Sequence, residues 1–379
     1  MSSLLTLKAN WDIFCKIVDN HGDIGVCWRL AKQLQLEHKL NIRLFIDDLP
    51  AAKTIISDLN INLNQQMING IRVLRWDAKT DFTDVADVAI EAFACELPAD
   101  YLTAMARKKA ALNQETTWVN LEYLSAEPWV ADFHAKPSPQ PNGLTRYFYF
   151  PGFTESTGGL IRESFLTDSN HHAVNQCVFW KNLNLNTHAN LKVSLFCYPY
   201  APIEDLLTAM SESGHPVDCY VPESSILPKI AEFFGLSSFS AGNNFKHNNL
   251  YLHVLPFLSQ ADYDQLLSAC DINFVRGEDS WLRAIWAGKP FVWQPYFQDE
   301  NTHIKKLQAF LTLFYQNFHE KNLITQLHLA WSGNSLPQDV WQHYLDQLSD
   351  IEDDTFRQSQ SLAQQTDLAA KLVIFCNKN

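Results

Sequence analysis

Short apolar runs alternate with helically spaced apolar stripes along the chain, and the pattern occurs twice. Ile13, Phe14, Cys15, Ile17 and Val18 form a run closed by polar and glycine residues, as in a buried strand. Beyond it Ile24, Cys27, Trp28, Ala31 and Leu34 recur at three- and four-residue steps, one face of a helix. A second strand is predicted over 42–46, closed by Asp47-Asp48-Leu49-Pro50, with others over 71–74, 85–90 and 117–121. Strands alternating with helices predict a parallel sheet covered by helices on both faces.

Between about 125 and 187 the regularity stops. Pro137, Pro139, Pro141, Gly143, Pro151, Gly152, Gly158 and Gly159 punctuate the aromatics Tyr147, Phe148 and Tyr149. This predicts a long ordered loop leading into a connection between domains. From Leu191 the rhythm restarts, with strands over 191–198, 215–221, 250–255, 272–275 and 291–293 and a helix over 203–210. The tail over 353–379 reads as helical. The expected division is a first α/β domain over 1–188, joined by a C-terminal helix over 360–379, and a second over 189–359. A GT-B architecture fits this pattern, and so do other two-domain α/β proteins.

Composition narrows the class. Hydrophobic residues make up 46% and charged residues 19% of the 379, an ordinary globular mixture. A net charge of −13 argues against nucleic acid as the main partner. The eight cysteines include no C-x-x-C pair, which predicts reduced, buried thiols of a cytoplasmic protein. The first ten residues lack the layout of a signal peptide, and no apolar stretch approaches the ~20 residues that span a bilayer. No membrane partner is expected. The histidines show no H-x-x-x-H or H-E-x-x-H spacing, so no metal site is indicated.

Three constellations could carry chemistry. The first, Val18-Asp19-Asn20-His21-Gly22-Asp23-Ile24-Gly25, sets two carboxylates in the turn from the first strand to the first helix, where doubly wound folds bind ligands. Gly22 and Gly25 would let the backbone turn tightly; the plainer reading is that Asp23 caps the helix. The second, Asn273-Phe274-Val275-Arg276-Gly277-Glu278-Asp279-Ser280, ends a strand and opens a helix whose N–H groups could hold a phosphate. An ordinary capped αβ unit explains it equally well. The third is an aromatic set at strand ends, Tyr198, Phe257, Tyr263 and Tyr296, with Gln260 nearby. Rings stack on a base and an amide reads a pyrimidine edge, although core packing is the commoner fate of a single aromatic.

Residues 11–30, from Trp11-Asp12-Ile13-Phe14-Cys15 to Val26-Cys27-Trp28-Arg29-Leu30, resemble the start of the EarP family of elongation factor P arginine rhamnosyltransferases. The likeness continues in Trp118-Val119-Asn120-Leu121-Glu122-Tyr123-Leu124-Ser125-Ala126-Glu127, Pro151-Gly152-Phe153, Gly158-Gly159-Leu160, Phe274 to Ser280 and Trp286 to Trp293. It implies a GT-B fold, two Rossmann-like domains facing across a cleft with the C-terminal helix packed back on the N-terminal domain. It implies metal-independent, inverting transfer of L-rhamnose from dTDP-β-L-rhamnose to one arginine of elongation factor P, in support of translation through polyproline stretches. The family's essential carboxylates fall on Asp19, Asp23 and Glu278, with Asn20 and Gly22 on the acceptor side. Its sugar-donor contacts fall on Tyr198, Phe257, Gln260, Tyr263, Arg276, Asp279, Ser280 and Tyr296. Tyr263 and Trp281 stand where the family pattern has Phe. The expected roles are Asp23 as base and Asp19 as the group that orients the guanidinium. Two other functions remain open: a sugar-nucleotide epimerase that needs no protein acceptor, and a nucleotide-sugar sensor without catalysis.

Overall fold

The computed structural model describes residues 8–18, 21–167, 178–183, 185, 190–333 and 335–379. The chain forms two compact units, Met1–Ser164 with Gln365–Asn379, and Phe165–Gln364. The expected boundary at 188/189 is therefore moved. Phe179 and Trp180 are buried with Tyr220, Leu255 and Leu266 of the second unit, on the far side of the expected boundary.

The first unit is built on an eight-stranded sheet of β1 (Asn10–Cys15), β2 (Asn41–Ile46), β3 (Gln65–Ile68), β4 (Ile71–Arg75), β5 (Val88–Ala92), β6 (Thr117–Leu121), β7 (Lys136–Pro139) and β8 (Thr145–Tyr149). Their order is β3-β4-β2-β1-β5-β6-β8-β7. The six inner strands are parallel, and β3 and β7 are antiparallel edges. Trp11 to Cys15 and the whole of β5 are buried, which explains why both read as runs that are apolar apart from Asp12 and Glu91. One core cluster centres on Phe14, stacked on Phe45 at 4.5 Å and edge-on to Tyr101. The buried Asp12 is held by a two-pronged pair with Arg43 (2.6 and 2.7 Å) and by the Tyr101 hydroxyl. Reversal of strand order between β1 and β5 makes their carboxyl ends the expected ligand position.

The predicted irregularity over 125–187 is corrected by β7 and β8. Pro137 and Pro139 lie on an edge strand, where a missing N–H leaves no inner ladder broken. The helical tail is two helices, Leu348–Ala363 and Leu368–Lys378, and the second belongs to the first unit. Asp367 caps it, accepting from Ala370 N–H, and also accepts from Gln33 of the helix Gly22–His38. Leu368 N–H donates to Leu160 O, fastening the helix to the Gly158-Gly159-Leu160 turn.

The second unit carries a six-stranded sheet of β9 (Leu191–Leu195), β10 (Val217–Pro222), β11 (Asn244–His247), β12 (Leu250–Leu255), β13 (Ile272–Arg276) and β14 (Phe291–Gln294). The order is β11-β12-β10-β9-β13-β14, with β11 antiparallel and the rest parallel. Its switch point lies between β9 and β13. The run predicted as a strand to Tyr198 stops at Leu195, and the next residues leave the sheet at that switch point. Trp281, on the helix Asp279–Ala287, stacks on Trp293 at 3.7 Å inside the unit. All seven described cysteines are buried and unpaired. Among the described residues no helix is long and apolar enough to cross a membrane.

Candidate active site

In the first unit the site is assembled from the loops after β1, β5 and β6. Asp19 and Asn20 lie outside the described residues. Asp23 is the second residue of the helix Gly22–His38 and is buried. Val18 N–H donates to its Oδ2 at 2.8 Å, and the Tyr123 hydroxyl donates to its Oδ1 at 3.1 Å. Both partners lie outside the helix, whose N-cap position is His21, so the reading of Asp23 as the cap is corrected. Gly22 and Gly25 are themselves helical, with Gly25 N–H bonded to His21 O, so the tight glycine turn expected there is replaced by the first turn of helix.

The loop after β5 is strained. Phe93, Ala94 and Glu96 have φ of 56°, 53° and 61°, a region costly for residues with a Cβ. Hydrogen bonds hold it there: Phe93 N–H to Leu121 O, Ala94 N–H to Asn120 Oδ1, and Glu96 N–H to Glu91 Oε1. Glu91 is fully buried and also accepts from Trp118 Nε1 at 2.8 Å. The strained backbone lays the Phe93 ring on Tyr123, 4.3 Å between centroids and 13° apart, behind the hydroxyl that contacts Asp23. Burial pushes the Cys95 thiol up, so it is no nucleophile. Beside this loop a cavity of about 430 Å³ is lined by Lys16, Asp47, Trp76, Asp77, Glu96 and Asp100 among others.

In the second unit Tyr198, Tyr263, Arg276, Ser280 and Tyr296, of the predicted residues, gather at the β9–β13 switch point. Arg276 ends β13, and its guanidinium lies between two rings, 4.4 Å from the centroid of Phe196 and 4.7 Å from that of Tyr198. Its Nη1 donates to Cys197 O at 3.3 Å, and among the described residues it makes no ion pair. Tyr198 is placed by its own N–H, which donates to the Gln294 side-chain Oε1 at 2.8 Å. Tyr296 is 56% exposed and meets the Tyr198 ring edge-on at 5.6 Å. Phe257 is also exposed, on the loop after β12. Gln260 and Asp279 are joined, Nε2 to Oδ2 at 3.2 Å, which couples the starts of the helices Gln260–Ala269 and Asp279–Ala287.

Ser280 works inward: its hydroxyl donates to Arg276 O and accepts from Arg276 N–H, so it shapes the strand end that presents the guanidinium. Tyr263 is half-buried, edge-on to Phe196, and burial pushes its phenol up, which keeps it protonated. Glu278 sits at the helix start without a side-chain capping bond, after Gly277 at φ 63°. That left-handed position turns the chain from strand to helix and favours glycine.

A model of the Elongation-Factor P (EF-P) rhamnosyltransferase EarP family matches residues 11–377. The chain belongs to this family. It is 40% identical over 376 residues to the protein-arginine rhamnosyltransferase of Pseudomonas putida, covering 97% of this chain and 99% of that one. Against the protein of that name from Neisseria meningitidis serogroup B it is 37% identical over 306 residues, 79% of this chain and 77% of the other. A solved structure described as "Structural basis for EarP-mediated arginine glycosylation of translation elongation factor EF-P" matches with TM-score 0.69 and 29% identity over 97% and 98% of the two chains. The MurG structure of Acinetobacter baumannii, at TM-score 0.50 and 10% identity over 97% of each chain, supports the fold alone. The α/β fold expected from the sequence, of the GT-B glycosyltransferase kind, is thereby established.

Phe93, Phe196, Tyr200 and Gln294 carry no local sequence signal that marks them as neighbours of the candidate residues, and Tyr123 stands out only within the family resemblance. Phe196 was absorbed into a predicted strand. The available signal for Tyr123 was an aromatic just beyond the end of a buried strand, the same signal that singled out Tyr198.

Proposed function

We propose that the chain transfers L-rhamnose from dTDP-β-L-rhamnose, with inversion, to an arginine side chain of elongation factor P, in support of translation through polyproline stretches. The observation that carries this reading is Arg276. A guanidinium stacked between two rings, bonded to one carbonyl and unmatched by a carboxylate, is a preformed partner for a diphosphate. The positive end of the helix Asp279–Ala287 reinforces it. Phe257 and Tyr296 offer exposed ring faces to a base and sugar, with Gln260 as the polar reader, while the predicted Tyr198 is buried behind them under Tyr200 and against Arg276.

The acceptor is a cation, and the first unit answers with carboxylates. An arginine has a pKa above ~12, so an aspartate near ~4 does not deprotonate it in the ground state. As the guanidinium nitrogen attacks the anomeric carbon, the C–N bond forms and the bond from that carbon to the diphosphate oxygen breaks. The nitrogen's proton becomes acidic as this happens and passes to the Asp23 carboxylate. Asp19 orients the guanidinium, and the departing diphosphate carries its charge onto Arg276. Glu278 braces the loop or a sugar hydroxyl. Attack opposite the leaving group inverts the anomeric centre, and the cationic groups already present leave the step independent of metal.

The test is intact-mass analysis of elongation factor P incubated with dTDP-β-L-rhamnose and this protein. A gain of one deoxyhexosyl unit on arginine is expected. An isomerised sugar from the nucleotide-sugar alone would assign an epimerase, and no product in either mixture would assign a sensor.

A further inference from the structure

The aromatic panel beside Arg276 poses an ordering problem. Tyr200, Tyr296 and Phe297 are 40%, 56% and 54% exposed, so burial does not fix their rings. Exposed rings without other restraint spread over rotamers and lose that freedom when a ligand binds. Here a polar clasp ties the β9 exit to the β14 exit. The Tyr200 hydroxyl donates to Pro295 O at 3.0 Å and accepts from Phe297 N–H at 3.0 Å, bonding the chain on both sides of Tyr296. From the opposite direction the buried Gln294 accepts the Tyr198 N–H. The Tyr200 ring lies parallel to that of Tyr198, 5.3 Å between centroids and 8° apart, while Tyr296 abuts the Tyr198 edge. Pro199 and Pro295 stiffen the two exits by fixing φ.

We infer that Tyr200 is a positioning residue for the nucleotide-sugar: its hydroxyl fixes the backbone that carries Tyr296, so that Tyr296, backed by the buried Tyr198, meets the ligand as one rigid panel with Arg276. The inference rests on the reading of the second unit as the sugar-donor site. Tyr200 acts through Tyr296, and its hydroxyl is already used on both its donating and accepting sides.

The experiment uses the full chain with Tyr200→Phe, which keeps the ring and removes both hydrogen bonds. Two bonds of ordinary strength correspond to about a tenfold weakening. The expected outcome is about a tenfold higher KM for dTDP-rhamnose and a matching loss of dTDP affinity by calorimetry. Turnover at saturation, the KM for elongation factor P and the melting temperature should be unchanged. Tyr296→Ala should weaken dTDP binding by itself, and adding Tyr200→Phe to it should cost nothing more. Full additivity of the two changes, or an unchanged sugar-donor KM in Tyr200→Phe, would overturn the positioning role. If Tyr296→Ala itself binds dTDP like the wild type, the reading of this unit as the sugar-donor site fails, and the inference with it.

Discussion

Removing the Arg276 side chain separates two contributions that the geometry superimposes, its charge and its stacked plane. In Arg276→Ala the diphosphate loses a charged hydrogen-bonding partner, worth about 1.5–3 kcal/mol in binding, or roughly a 10- to 150-fold loss of dTDP affinity. Turnover should fall further, by about 10²–10³, because the leaving group gains charge in the transition state. Arg276→Lys keeps the charge but not the plane that sits 4.4 and 4.7 Å from Phe196 and Tyr198. The stacked plane is worth about 0.5–2 kcal/mol in all, since a lysine keeps part of the cation–ring attraction, so the lysine variant should lose roughly 2- to 30-fold in affinity. Calorimetric titration with dTDP reports binding, the mass gain of elongation factor P reports transfer, and a melting curve shows that the variants are folded. A folded Arg276→Ala that binds dTDP like the wild type would refute the diphosphate assignment. A lysine variant equal to the wild type would refute the part played by the rings.

Asp23→Asn keeps a carbonyl oxygen to accept from Val18 N–H but cannot take the proton, so transfer should be abolished with dTDP affinity intact; wild-type-like turnover would remove Asp23 as the base. Chelator treatment should leave the transfer rate unchanged, and a rate restored only by added metal would contradict metal-independent transfer. Burial lowers the pKa of His328 to about 4, against about 6.5 unfolded. The unfolded chain therefore binds more protons between these values, and stability is lost as pH falls through that window. The His328 contribution amounts to about 2 kcal/mol between pH 7 and 5, so urea unfolding of His328→Leu should show a pH dependence smaller by that amount. Gly159→Ala should destabilise the first unit by about 2 kcal/mol or more, since φ is +77° and the new Cβ would lie 2.7 Å from Thr366 O. Gly143→Ala, at φ +79° with open space around it, should cost less, and equal melting temperatures for the two would contradict this.

What could be read from sequence divides along a physical line. The inner strands β1, β5, β6, β10 and β13 are buried on both faces, and their apolar runs announce them. The edges β3, β7 and β11 are partly exposed and polar, as in Gln65-Gln66, Lys136-Pro137 and Asn244-Phe245-Lys246-His247, and these carry no such signal. The site follows the same division. Asp23 and Arg276 stand out in the sequence because a strand must hand over to a helix there, and in doubly wound folds such a turn is the expected ligand position. Their partners come from other strand ends, far away in sequence: Tyr123 lies 100 residues from Asp23, and Gln294 lies 96 from Tyr198.

Distance along the chain also explains why local sequence does not divide the aromatic set. A ring at a strand end is ambiguous until its neighbours are known. Tyr263 turns inward against Phe196, whereas Tyr200, two residues beyond Tyr198, turns out and bonds the backbone around Tyr296. Nothing in local spacing separates these fates, because both tyrosines belong to segments with helix or strand exits nearby. What separates them is where the hydroxyl finds its partners. The Tyr200 hydroxyl reaches a carbonyl and an N–H of another loop, and that pairing converts an exposed ring into a fixed one. The same logic operates in the first unit, where the Tyr123 hydroxyl reaches Asp23 and the Phe93 ring backs it through a strained loop. In both units the residues proposed to touch substrate stand in recognisable motifs, while those that aim them are set by tertiary hydrogen bonds that only the fold brings together.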